Sequence, residues 1–225
     1  MQYTTKPNLK KGKLKILFLI LRKKKIAGCN ITVPFKKTVI PFLDKLSPEA
    51  EQTQSVNTIT CSSGNLVGHN TDIFGFNKAI ESLNFAIEGK KILILGAGGV
   101  VPSIIFALRK MKVSDITVSN RTKSKAENLQ NQFNNLKILD WGNLVDFDVV
   151  INATSLGLNK ELINLDFSSV GKNKLFYDVI YNPSETKFLK RGKETGNQTE
   201  NGKLMFIYQA LSAFNLWHKT NLEAN

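Results

Sequence analysis

The segment from Lys91 to Ser119 constrains this chain more than any other. Lys91-Ile-Leu-Ile-Leu95 is a short, unbroken apolar run; Gly96-Ala97-Gly98-Gly99 comes next, then helical periodicity through about Met111, then a second strand pattern at Asp115–Ser119. A continuous apolar strand reads as one buried on both faces of a parallel sheet. Strand, glycine turn, helix and strand in that order make a βαβ unit. A glycine turn lets backbone N–H groups approach a pyrophosphate, while the helix N-terminus supplies partial positive charge. Gly96, Gly98 and Gly99 meet that need, with Ala97 between them. The third place of the pattern G-x-G-x-x-G is Val101, which predicts slightly wider packing of helix on strand.

The end of the second strand decides which dinucleotide suits the turn. A fold that takes NAD usually places a carboxylate there for the ribose 2′-hydroxyl. This chain has Asn120-Arg121-Thr122, with Lys125 one turn later. A carboxylate would repel a 2′-phosphate, whereas Arg121 can stack on adenine and pair with that phosphate. The spacing therefore predicts NADP.

Alternating strand and helix patterns continue on either side and imply an α/β layer fold. Before the βαβ unit, the patterns predict a short strand near Gln2–Thr5, a basic helix, a strand at Gly28–Val33, a helix opening after Pro34, and strand-like segments at Val56–Thr60 and Leu66–Gly68. Thr71-Asp72 is a good helix N-cap leading an amphipathic stretch through Phe74, Ile80 and Leu83. After the unit, strands are expected at Val149–Asn152 and Leu175–Val179. A last amphipathic helix, Gly202 to Trp217, carries Met205, Tyr208, Gln209 and Phe214.

Charge is lopsided. Of 31 basic residues, eleven fall within positions 1–37, and the first acidic residue is Asp44, so the net charge of +13 is concentrated at the start. The six-residue apolar run Ile16–Leu21 is far too short to span a bilayer, and no small-residue cleavage site succeeds it. Leu14, Leu17, Phe18 and Leu21 share one side of a helical wheel, which predicts a core helix with a solvated basic face. No aromatic-interleaved or groove-reading motif accompanies the charge, which argues against a nucleic-acid partner. Two cysteines, Cys29 and Cys61, and two histidines, His69 and His218, suggest neither a disulfide framework nor a metal site. A reducing cytoplasm fits that usage.

Six separated motifs together resemble the shikimate/quinate dehydrogenase family. They are Asn30-Ile-Thr-Val-Pro-Phe-Lys36, Ser55-Val-Asn-Thr58, Gly68-His-Asn-Thr-Asp72, Gly96-Ala-Gly-Gly99, Asn120-Arg-Thr122, and Asn201-Gly-Lys-Leu-Met205 followed by Gln209-Ala210. Asn152-Ala-Thr154, Tyr177-Asp178 and Tyr181-Asn-Pro183 agree more weakly. The resemblance implies an α/β substrate domain over residues 1–71, incomplete at its start, a Rossmann-like NADP-binding domain over 72–203, and a C-terminal helix, 204–225, returning to the first domain. It implies a monomer or homodimer that reduces 3-dehydroshikimate reversibly to shikimate in aromatic amino-acid biosynthesis, with no nucleic-acid, membrane or metal partner. Lys36 and Asp72 match the family's catalytic pair. Hydride reduction of a ketone makes an alkoxide, which needs a proton from a positioned acid, and a lysine of ordinary pKa is charged at neutral pH. The same resemblance assigns substrate contacts to Thr32, Asn57, Tyr181 and Gln209, and places Met205 against the nicotinamide.

The family pattern begins with a strand and a Ser-x-Ser-Pro segment whose serines hold the substrate carboxylate; this sequence has no such segment. Met1 falls near the family's second strand, so the first strand and helix are expected to be missing. Each lost hydrogen bond to a charged group costs about 1.5–3 kcal/mol, which predicts weakened or absent activity, and the sheet should carry unpaired edges. Ile73 and Leu204 stand where the family commonly has glycine. Two other readings remain open from the residues: a non-catalytic NADP-binding paralogue, and a quinate/shikimate dehydrogenase using NAD, which Arg121 argues against.

Overall fold

A computed structural model describes residues 11–23, 26–159 and 161–223; the strand expected near Gln2–Thr5 lies outside them. The chain divides into two compact units, one drawn from residues 1–70 and 213–222, the other from 71–212 with 223.

In the first unit, α1 (Lys11–Arg22) buries Phe18 and Leu21 and half-buries Leu17, the face its spacing predicts, while Leu19 and Ile20 point outward. Arg22 closes the helix where the macrodipole favours a cation, and its guanidinium grips both oxygens of Asp44 at 3.0 and 2.8 Å. Arg22 and the Leu66 backbone N–H hold the Asp44 carboxyl below the usual carboxylate range. Then come β1 (Gly28–Asn30), a 3-10 turn at Ile40–Phe42, β2 (Lys45–Leu46), α2 (Pro48–Thr53), β3 (Thr58–Ser62) and β4 (Asn65–His69). The sheet order is β1-β3-β4-β2, with β2 parallel to β4 and the other pairs antiparallel. Ser63 and Gly64, both at positive φ (50° and 84°), close the β3–β4 hairpin, as a two-residue primed turn requires. Ser47 caps α2 by accepting from Ala50 N–H at 3.2 Å. Ile31, Val39, Val56, Ile59 and Leu66 join Phe18 and Leu21 in one apolar cluster.

The helix expected after Pro34 is not formed: residues 33–39 run through turns into the 3-10 segment. Thr38-Val39-Ile40 is β-branched, which disfavours helix. Pro41 then has no N–H to give to an α-helical ladder and sits in the first turn of the 3-10 segment instead.

The second unit opens with α3 (Asp72–Glu81), then β5 (Lys91–Leu95), α4 (Val101–Lys110), β6 (Asp115–Ser119), α5 (Lys123–Gln132), β7 (Lys137–Leu139), β8 (Val149–Asn152), β9 (Leu175–Asp178), α6 (Lys187–Glu194), β10 (Gln198–Glu200) and α7 (Lys203–His218). All six strands are parallel in the order β10-β9-β8-β5-β6-β7. Strand order therefore reverses between β5 and β8, the place where open parallel sheets bind ligands at their carboxyl ends. Both faces are covered, which explains the unbroken apolar strands: Ile92 and Ile94 of β5 pack with Ile104, Val118, Ile151 and Tyr177 on one side, Leu93 and Leu95 with Val150, Phe176 and Phe188 on the other. Within α3, the buried face is Ile73, Phe76, Ala79 and Ile80; Phe74, expected inside, is exposed. Residues 213–222, comprising the end of α7 and a short tail, belong with the first unit, where Trp217 Nε1–H donates to the Ile59 carbonyl at 3.1 Å. Among the described residues no helix is long and apolar enough to cross a membrane.

Candidate active site

Gly96 comes directly after β5 at φ +110°, a conformation side chains rarely adopt, and a Cβ there would come within 2.9 Å of the Ala153 backbone. Gly98 faces open space, since a Cβ placed on it would find the Ala153 carbonyl, at 3.7 Å, as its nearest neighbour. The turn is thus closed toward β8 and open above, as a backbone cradle for a pyrophosphate must be. No side chain caps α4, whose first turn contains Val101, wholly buried, and Pro102. Asn120, at the end of β6, is engaged on two sides: its Oδ1 accepts from Ala97 N–H at 3.1 Å and its Nδ2 donates to the Thr122 carbonyl at 2.7 Å. It ties the glycine turn to the loop that carries Arg121.

Arg121 and Lys125 are exposed, and among the described residues neither forms an ion pair, whereas Lys123 is held by Asp140 at 2.8 Å. Thr122 opens α5 as its N-cap without a side-chain bond. Two exposed cations therefore stand just beyond the end of β6, with no carboxylate engaged to them among the described residues. The turn, the helix start and these cations fit NADP.

Further along the carboxyl edge, Tyr181 is exposed and stacks on Phe206 with ring centroids 4.7 Å apart. Met205 is 6% exposed and packs in the same core cluster as Phe76 and Tyr177. Asp72 begins α3, where the positive helix end favours a carboxylate, and is 7% exposed. One turn on, a Cβ at Gly75 would meet the Met205 carbonyl and lie 2.8 Å from Gln209 Cβ. Only glycine lets α7 come that close, and this contact sets Gln209 near the face of α3 that Asp72 begins. Gln209 Nε2 donates to the Phe206 carbonyl at 2.9 Å. Gly202 is equally confined: a Cβ would collide with the Val179 carbonyl, and its N–H donates to Ile180 O at 3.1 Å. The sequence singled out neither glycine for packing, because the partner of each lies far along the chain.

Thr32, Lys36 and Asn57 are brought together in the first unit by backbone bonds. Ile31 N–H donates to Asn57 O at 2.7 Å, Val56 N–H to Lys36 O at 2.9 Å, and Asn57 N–H to His69 O at 3.1 Å. Asn57 is buried, Lys36 half-buried and Thr32 exposed. His69 Nε2 lies 3.1 Å from the Thr60 hydroxyl, and burial lowers its pKa, with Glu49 partly opposing. Burial pushes the Cys29 thiol up to about 12, so it is no nucleophile.

The family profile for the shikimate dehydrogenase substrate binding domain matches residues 2–59, and that for shikimate / quinate 5-dehydrogenase matches residues 78–174. A protein named shikimate dehydrogenase (NADP(+)) from Pelagibacter ubique is 55% identical over 204 residues, covering 90% of this chain and 77% of its own length. The chain belongs to the shikimate dehydrogenase family. Solved shikimate dehydrogenases share its fold. That of Aquifex aeolicus superposes with a TM-score of 0.88 at 34% identity, covering 96% of this chain and 80% of the other. That of Thermus thermophilus, solved in complex with NADP(H) and shikimate, gives 0.87 at 30% identity, with 96% and 81% covered. The six-stranded parallel sheet is the Rossmann-like half of such a dehydrogenase.

Proposed function

We propose that this chain oxidises shikimate to 3-dehydroshikimate reversibly with NADP. The observation that carries the proposal is the 55% identity, over 90% of the chain, to a relative named as that NADP-linked enzyme. The exposed Arg121, just after β6, and Lys125, in the first turn of α5, form no ion pair among the described residues and support NADP over NAD. The nicotinamide, when bound, supplies or accepts the hydride; the protein supplies the proton and the orientation. Lys36 is assigned as the acid that protonates the substrate oxygen during reduction and takes the proton back during oxidation. Asp72 is the carboxylate that the family pattern pairs with it. Thr32, Asn57, Tyr181 and Gln209 are assigned to the substrate hydroxyls. Gly96, Ala97, Gly98 and Gly99 take the pyrophosphate, Arg121, Thr122 and Lys125 the adenosine phosphate, and Asn120 braces the two seats.

Initial rates of NADPH absorbance test this with shikimate and NADP, then with NAD or quinate exchanged singly. Shikimate with NADP is expected to be the best pair, by about tenfold or more over NAD through loss of the charge-assisted phosphate contacts. No turnover with any pair, or preference for NAD, would overturn it.

A further inference from the structure

The carboxyl edge of the six-stranded sheet holds a buried anion to which the assignments above give no part. Asp178 ends the apolar strand β9 fully buried, and among the described residues no cation pairs with it. Three donors hold its carboxylate: Asn152 Nδ2 at 3.0 Å and Ile180 N–H at 3.0 Å on Oδ1, and the Thr186 hydroxyl at 2.6 Å on Oδ2. Burial pushes its pKa up, and these three bonds oppose the rise. A buried carboxylate without a cation is costly, and an apolar residue would end this strand more cheaply, so its role lies in what it holds.

Each donor comes from a different piece of the carboxyl edge. Asn152 ends β8, and its Oδ1 accepts from the N–H and hydroxyl of Thr154 at 3.0 and 2.7 Å, while its Nδ2 also reaches the Leu156 carbonyl at 3.1 Å. The loop closed in this way contains Ala153, the residue against which Gly96 packs so closely that a Cβ has no room. Ile180 immediately precedes Tyr181. Thr186 is the N-cap of α6 and also accepts from Leu189 N–H at 3.3 Å.

We propose that Asp178 is a positioning residue that locks the 152–156 loop against the glycine turn and, through Ile180, sets the loop bearing Tyr181. One buried anion then fixes the seats of cofactor and substrate together. The substrate half of this rests on the function proposed above.

Two variants of the full chain test it. Asp178→Asn keeps an acceptor for Asn152 and Ile180 but turns an N–H toward Thr186, whose hydroxyl proton then loses its acceptor. Thr186→Val removes one donor and leaves the charge. NADPH affinity is read by cofactor fluorescence without substrate, KM and kcat for shikimate by absorbance, and folding by circular dichroism at the assay temperature. In folded Asp178→Asn, the Kd for NADPH and the KM for shikimate are expected to rise together about tenfold, and in Thr186→Val about threefold. Thr186→Ser, which keeps the hydroxyl, is expected to restore both constants. Folded variants whose two constants are unchanged, with only the melting temperature lowered, would overturn the proposal, as would movement of one constant alone. If Asp178→Asn does not fold, Thr186→Val decides by the same two constants. Should the unmodified chain bind NADPH yet not turn over shikimate, the function reading fails by itself. NADPH affinity in the variants then still supports the cofactor seat if it weakens and overturns it if it does not.

Discussion

In the second unit the groups assigned to the cofactor phosphates come from one contiguous run, residues 96–125, leading from the end of β5 through α4 and β6 to the start of α5. Their positions follow from strand and helix geometry, and a core on both faces of the sheet supports them. In the first unit, Thr32, Lys36 and Asn57 sit on turns and loops beside a four-stranded sheet with one small apolar cluster. A few long-range backbone bonds, such as Ile31 to Asn57 and Val56 to Lys36, hold them in place. The difference teaches that the groups assigned to the cofactor phosphates share one local motif, braced from β8 at Ala153, whereas the groups assigned to the substrate in the first unit depend on distant segments meeting. Damage to the two should therefore separate into affinity on one side and turnover on the other.

The largest expected separation comes from Lys36→Met, which should lower kcat by roughly 10²–10⁴ while NADPH fluorescence titrations stay unchanged; a matching loss of cofactor affinity would break the comparison. Next in size, Arg121→Glu should raise the KM for NADP by about 10- to 100-fold through lost pairing and new repulsion, with little change for NAD. A rise in the KM for shikimate alone would contradict it. Gly202→Ala sharpens the comparison from the side of stability. Its Cβ collides with the backbone of Val179, so a loss of about 1–3 kcal/mol is expected, seen as a lower melting transition of the second unit. An unchanged melt would show that α7 can shift freely. The smallest effect concerns His69, whose folded pKa lies below its ordinary value of 6.5 because it is buried. Below that ordinary value the unfolded chain takes the proton first, so stability is full above it and falls as pH drops toward the folded pKa. His69→Gln should flatten that part of the acid limb in a melting series and leave the neutral-pH melt nearly unchanged.

The βαβ unit, β8, β9 and α7 were legible because apolar continuity or helical spacing marks them. Other elements carried no such signal. The edge strand β10 is Gln-Thr-Glu, β7 has three residues, and α5 buries only Ala126 and Leu129. The segment after Pro34 misled because its apolar residues mimic a helix while Pro41 forbids one. Asp178, Gly75 and Gly202 are intelligible only once their distant partners are in place.

Shikimate-dependent NADP reduction and NADPH affinity, measured side by side in Lys36→Met and Arg121→Glu, test the division of labour most directly. The account predicts that the first variant keeps the cofactor and loses turnover, while the second loses NADP affinity and keeps its kcat once NADP is saturating. Variants that fail in the same constant, or a Lys36→Met protein that still turns over shikimate at the unmodified rate, would contradict it.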